Sequence, residues 1–198
     1  MTSFIHTKVK DLKIYQYSVL LKMMQQKIEE STKGNVDHPK IDKIRLNYQR
    51  YLRIHKTYQI SKALRNMIDN ISVPQDWYIL TEDWCGDSGQ ILPYLEKFSR
   101  INPHIRLKLL SREENRDIMD YYVTDGKRSI PKVIAVNENG EELFRWGPRP
   151  AEAQRIFDQH LQGGLSKPQA MEQLHGWYAK NRGKAIESEF VEIFQRLK

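Results

Sequence analysis

Cys85 is the only cysteine in this chain of 198 residues, and it sits in the run Trp84-Cys85-Gly86-Asp87-Ser88. A cysteine attacks a disulfide only as the thiolate. The run lies where a short apolar stretch passes into a helical pattern. A cysteine there meets unpaired backbone N–H groups and the positive end of the helix dipole, both of which favour thiolate. The carboxylate of Asp87 acts the other way by like-charge repulsion, or serves as a proton acceptor. Ser88 offers a hydroxyl to the sulfur. Gly86 lets the backbone turn and keeps the sulfur approachable, and Trp84 shields one side. Cys85, Asp87 and Ser88 are therefore the catalytic candidates. One thiol allows no intrachain disulfide, no CxxC dithiol and no cysteine-based zinc finger. A mixed disulfide on Cys85 then needs an outside thiol to release it. The six histidines, at 6, 38, 55, 104, 160 and 175, show no metal-ligand spacing. No metal and no cofactor is expected.

The elements that must hold this run follow from periodicity. Trp77–Thr81 reads as a strand, and Cys85–Arg100 as a helix burying Ile91, Leu92, Leu95 and Phe98. Ile105–Leu110 is a second strand and Glu113–Val123 a short helix. Pro131–Val136 and Glu142–Trp146 are strands joined by the turn Asn137-Glu138-Asn139-Gly140. Ala151–Leu161, Pro168–Lys180 and Lys184–Leu197 follow a helical pattern. Ahead of all this, residues 8–31 read as a helix ended by Lys33-Gly34-Asn35. A second helix over 38–71 is capped by Asp37 and stopped by Pro74. Strands interleaved with helices imply a parallel pair, to which the hairpin adds an antiparallel pair. The expected fold is α/β, a four-stranded mixed sheet flanked by helices. The expected organisation is a basic helical hairpin over 1–74, a central domain over 75–161 and C-terminal helices over 162–198.

Several features together resemble the thioredoxin-like family. Trp84-Cys85-Gly86-Asp87-Ser88 is similar to the Trp-Cys-Gly-Pro-Cys of thioredoxins. Pro93 stands where they carry the proline of the active-site helix, and Ser129-Ile130-Pro131 matches the Ile-Pro that opens their third strand. Asn139-Gly140-Glu141 matches the following hairpin turn. The nearest likeness is to bacterial thioredoxin-like proteins with a Trp-Cys-Gly-Asp centre and a helical N-terminal extension. The resemblance implies a thioredoxin fold with helical extensions at both ends, a cis proline at Pro131 facing Cys85, and thiol–disulfide exchange. Trp84, Gly86, Ile130 and Pro131 would then form the substrate edge, to which a peptide or thiol adds as a strand. Three departures stand out. Ser88 replaces the second cysteine, Asp87 replaces proline, and Ile79 occupies the place of a buried aspartate, leaving Asp87 as a more exposed substitute acceptor. Two other readings fit the fold: a non-catalytic binding module, and an iron–sulfur carrier like the monothiol glutaredoxins. The carrier lacks support from Trp84 and from the missing Gly-Gly glutathione site.

Charge limits the partners. The chain carries 32 Lys and Arg against 25 Asp and Glu, a net charge of +7, and the excess lies in residues 1–74. The stripe Tyr48, Tyr51, His55 and Tyr58 beside Arg45, Arg50, Arg53 and Lys56 has the interleaving used on single strands. An aromatic stripe at helical spacing is first of all packing, with the basic residues as its solvated back, so nucleic acid is not expected. Arg145 and Arg149, flanking Gly147-Pro148, either reach the rim of the site or stand exposed and read first as exposed, and Gln90 reads as surface rather than site. No apolar run reaches ~18 residues, and the start lacks the apolar core of a signal peptide. The expected partner is a thiol or disulfide substrate, with no membrane, in the reducing cytoplasm.

Overall fold

The computed structural model describes residues 2–34 and 38–197. Four strands form one sheet, β1 (Gln75–Thr81), β2 (Ile105–Ser111), β3 (Lys132–Asn137) and β4 (Glu142–Trp146), in the order β2-β1-β3-β4. β1 runs parallel to β2 and antiparallel to β3, and β3 runs antiparallel to β4. This is the mixed sheet the interleaved pattern implies. In the β3–β4 turn, Asn137 Oδ1 accepts from the N–H groups of Asn139 and Glu141 at 3.0 and 2.9 Å.

Alternation along the strands sorts the core into two layers. Trp77, Ile79, Val133 and Ala135 face a large cluster that includes Leu92, Leu95, Phe98 and Phe190. Tyr78, Leu80, Ile134 and Val136 face a smaller one with Ile5, Ile118, Met119 and Cys85. The large layer is covered by α2 (Tyr17–Thr32), α3 (Ile41–Thr57), α4 (Lys62–Asp69), α5 (Gly86–Ser99), α7 (Ala151–Gln162), α8 (Lys167–Asn181) and α9 (Lys184–Arg196). The small layer is covered by α1 (Phe4–Thr7) and α6 (Arg116–Tyr121).

Two helical expectations need correction. The helix expected over 8–31 begins only at Tyr17. Before it, Val9–Asp11 form one 3-10 turn, and Tyr15 pairs with the outer edge of β2, exchanging N–H···O bonds of 2.8 and 3.0 Å with Leu109. A strand edge thus satisfies the backbone that periodicity alone assigned to a helix. The helix expected over 38–71 breaks at Tyr58, whose backbone is extended (φ −82°, ψ 132°). The break is stabilised from elsewhere in the chain. Glu187 accepts from the Tyr58 hydroxyl and from the Ser61 N–H, and Lys97 donates to the Tyr58 carbonyl at 2.7 Å. Ser61 then caps α4 by accepting from the Leu64 N–H. The expected Asp37 cap and the Asn35 of the stop signal lie outside the described residues.

The aromatic stripe of α3 packs inward. Tyr51 and Tyr58 are buried, and Tyr48 is half-buried with its hydroxyl on Gln25. One basic residue of the supposed solvated back is misplaced by that reading: Arg50 is 9% exposed and points toward α5.

Candidate active site

Cys85 is the N-cap of α5, with φ −76° and ψ 120°. Its carbonyl accepts the first helical N–H, from Gly89, and a second bond from the side-chain amide of Asn47 at 3.0 Å. The same amide donates to the Asp83 carbonyl at 2.8 Å. Asn47 of α3 therefore clamps the turn that carries the sulfur. The Ile130–Pro131 bond is cis, and the Cys85 thiol donates to the Ile130 carbonyl at 3.3 Å. Cys85, Ile130 and Pro131 thus meet at one place, with Trp84 beside them. The Trp84 ring carries the ammonium of Lys40 at 3.7 Å from its centroid and the guanidinium of Arg112 at 5.2 Å.

Gly86 lies against the side chain of His175. A Cβ there would lie 2.8 Å from Nε2 of His175. The missing side chain makes room for His175 of α8.

Ser88 and Asp87 are both buried, and for Asp87 this departs from the expected exposure. Ser88 is fully buried and accepts from the Thr81 hydroxyl at 2.8 Å. Asp87 is 3% exposed, its carboxylate held by Arg149 at 2.5 Å and by the Tyr178 hydroxyl at 2.9 Å. It is therefore not the exposed acceptor the sequence suggested. Arg149 and Gln90, read as surface residues, are buried or nearly so, with Gln90 beside Nδ1 of His175 at 3.4 Å. Arg145 does lie at the surface, paired with Glu142.

The electrostatics follow from this burial. Burial pushes the Cys85 thiol above its ordinary range, and the charge of Asp87 adds to this. The Ser88 hydroxyl and the N–H groups of Ser88 and Asp87 pull it back only in part. Burial also raises the Asp87 carboxyl, against Arg149, Tyr178 and Arg50. His175 is pushed down to about 4 by burial and by the nearby charges of Arg50 and Arg149. Burial and the Asp87 charge thus favour the thiol form of Cys85, next to the buried Asp87–Arg149 pair.

Asn47, Arg50, His175 and Tyr178 are the site residues that sequence reasoning missed. The one usable signal was the break at Gly147-Pro148, which delivers Arg149 to the site. Gly147 has φ +104° and its α-carbon faces the Pro131 carbonyl so closely that a Cβ would collide with it. Among the described residues no group of three or more His, Cys, Asp or Glu is placed to hold a metal ion.

Comparisons with known proteins agree with this geometry. A family model described as Thioredoxin matches residues 35–162. No curated protein matches the chain. Among solved structures, a protein of unknown function from Pseudomonas aeruginosa is similar with a TM-score of 0.57 and 19% identity, over 93% of this chain and 99% of that one. An HIV epitope scaffold is similar with a TM-score of 0.56 and 17% identity, over 91% and 98% of the two chains. Those likenesses speak for the fold. The family match spans well over half of the chain and contains the Cys85 turn, the cis proline and the whole sheet, so the chain belongs to the thioredoxin-like family.

Proposed function

We propose that the protein carries out thiol–disulfide exchange through Cys85, forming a mixed disulfide that an external thiol resolves. One observation carries this reading: the sulfur sits at the start of α5, against the carbonyl of the cis Ile130–Pro131 bond. A disulfide laid along that edge brings one sulfur to Cys85, with Trp84 on its flank. The step is a displacement. The Cys85 thiolate bonds to one sulfur of the substrate, and the other leaves as a thiolate. Ser88 supplies no second sulfur, so the adduct persists until another thiol attacks it. The proton that Cys85 loses goes to solvent, because Asp87 is already committed to Arg149 and Tyr178.

A second reading rests on a different observation. Burial and the Asp87 charge hold Cys85 in its thiol form, which suits a thioredoxin-fold binding module that uses the same edge without chemistry. Treatment with oxidised glutathione at pH 8 separates the two. Exchange predicts a mass increase of one glutathionyl group, absent in Cys85→Ser and removed by added thiol. A folded protein that takes up no glutathione under these conditions supports the binding module and refutes exchange.

A further inference from the structure

Tyr51 is fully buried, yet its hydroxyl has no hydrogen-bond partner. Nearly all buried polar side-chain atoms are partnered, so an orphan in a packed core calls for a reason. A phenylalanine would fill the same space. The ring itself is held edge-on by Tyr17, with centroids 5.7 Å apart.

Its place in α3 suggests the reason. Tyr51 follows Asn47 by four residues, so the two share one face of the helix, and helical side chains lean toward the preceding turn. Asn47 is the residue that grips the carbonyls of Cys85 and Asp83. The phenol therefore leans toward the turn that carries the sulfur. Beyond burial, the groups whose ionised forms act on it are Cys85 and Asp83.

The sulfur has a matching need. As a thiol it donates to the Ile130 carbonyl. A thiolate has no proton to give and repels that oxygen, so ionisation ends the contact and leaves a buried charge that a further donor would stabilise. The Ser88 hydroxyl and the N–H groups of Asp87 and Ser88 already act on it. The other titratable or charged groups around the site include Asp83, paired with Lys27, and Asp87, Arg50 of α3, Arg149, His175 and Tyr178 of α8, and Lys40 and Arg112 on the Trp84 ring. Tyr178 is occupied by Asp87, whereas the Tyr51 hydroxyl is uncommitted.

We propose that Tyr51 is a catalytic hydrogen-bond donor whose hydroxyl engages the Cys85 sulfur whenever that sulfur carries negative charge. The proposal rests on the exchange reading above. In the resolving step an external thiolate bonds to the substrate sulfur of the mixed disulfide. The bond to Cys85 breaks, and its electron pair leaves on the Cys85 sulfur. Tyr51 donates to that sulfur as the charge develops. It keeps its own proton, because burial holds the phenol well above its ordinary range. Cys85 regains a proton from water.

Tyr51→Phe tests this with little risk to the fold, since it removes an unpartnered buried hydroxyl and keeps the ring. Two rates are measured: alkylation of Cys85 by iodoacetamide against pH, and release of a glutathione adduct from Cys85 by reduced glutathione. The expected result is an alkylation midpoint about one pH unit higher and a release about tenfold slower, the size of one hydrogen bond to a charged group. The denaturant midpoint should not fall. Placing 3-fluorotyrosine at position 51, a stronger donor of the same shape, should move the alkylation midpoint down. Tyr17→Phe removes a hydroxyl bound to His55 and should move neither rate. Unchanged rates in folded Tyr51→Phe, or an equal effect from Tyr17→Phe, overturn the proposal. A wild-type protein that forms no adduct refutes exchange instead, and the alkylation midpoints still decide whether Tyr51 donates to the thiolate.

Discussion

Replacing Asp87 by asparagine removes a charge while keeping the side chain's shape. The structure sets the size of the effect. The Asp87 side chain is 5% exposed and that of Arg149 11%, and they meet at 2.5 Å. A pair this dry contributes little net stability compared with apolar groups, but removing one partner strands the other at a cost of about 3–5 kcal/mol. Arg149 has no reserve, since its Nε already lacks a partner. Asparagine can still accept from Tyr178, so the loss falls mainly on the guanidinium. Against a total stability of about 5–15 kcal/mol, a loss of about 4 kcal/mol lowers Tm by roughly 8–16 °C for a chain of this size. The double variant Asp87→Asn/Arg149→Met should regain most of it, because neither charge is then left alone. Urea denaturation of the wild type, both single variants and the double variant at pH 7 closes the cycle. Asp87→Asn should also lower the Cys85 alkylation midpoint, because the charge that opposes the thiolate is gone. Additive losses in the double variant, or single losses below about 1 kcal/mol, would refute the reasoning. Either result would mean that the pair is not the coupled, desolvated unit described here.

The remaining predictions concern pH, backbone and sulfur count. His175 titrates at about 4 when folded and near 6.5 when unfolded. Its depressed value contributes stability that is complete above pH 6.5 and is lost as pH falls toward 4, by up to about 3 kcal/mol. In His175→Gln, that part of the stability-versus-pH slope should vanish in a urea titration series from pH 4 to 7. Gly147→Ala should destabilise by more than about 1 kcal/mol, since it places a Cβ at φ +104° against the Pro131 carbonyl. An unchanged thermal midpoint would count against that close approach. Ser88→Cys should form a disulfide between the introduced thiol and Cys85, and gain turnover with a thioredoxin reductase, measured by NADPH consumption. A variant that oxidises and stays inert would favour the binding-module reading.

What the sequence determined by itself is local in origin. Short β-favouring runs, alternating in Ile105–Leu110, assigned the four strands, the Asn137–Gly140 turn joined the last two, and the Trp84–Ser88 run placed a lone thiol at a helix start. Each of these depends on neighbours a few residues away, so its signal survives in the bare chain. That Ile130-Pro131 faces the sulfur, 45 residues away, came from the family resemblance and not from local pattern. What only the tertiary structure decided is the dielectric and the company of that sulfur. Asp87 reads as an exposed first-turn acid until Arg149, 62 residues on, and Tyr178, 91 residues on, arrive to hold it. The break at Tyr58 and the late start of α2 have the same cause, since Glu187, Lys97 and the edge of β2 satisfy backbone that would otherwise close helical bonds. Whether a charge can stay dry, or a helix can end without a glycine or proline, depends on partners brought in by packing. Periodicity carries no information about those partners, because they come from elements whose order in space is settled only when both faces of the sheet are covered.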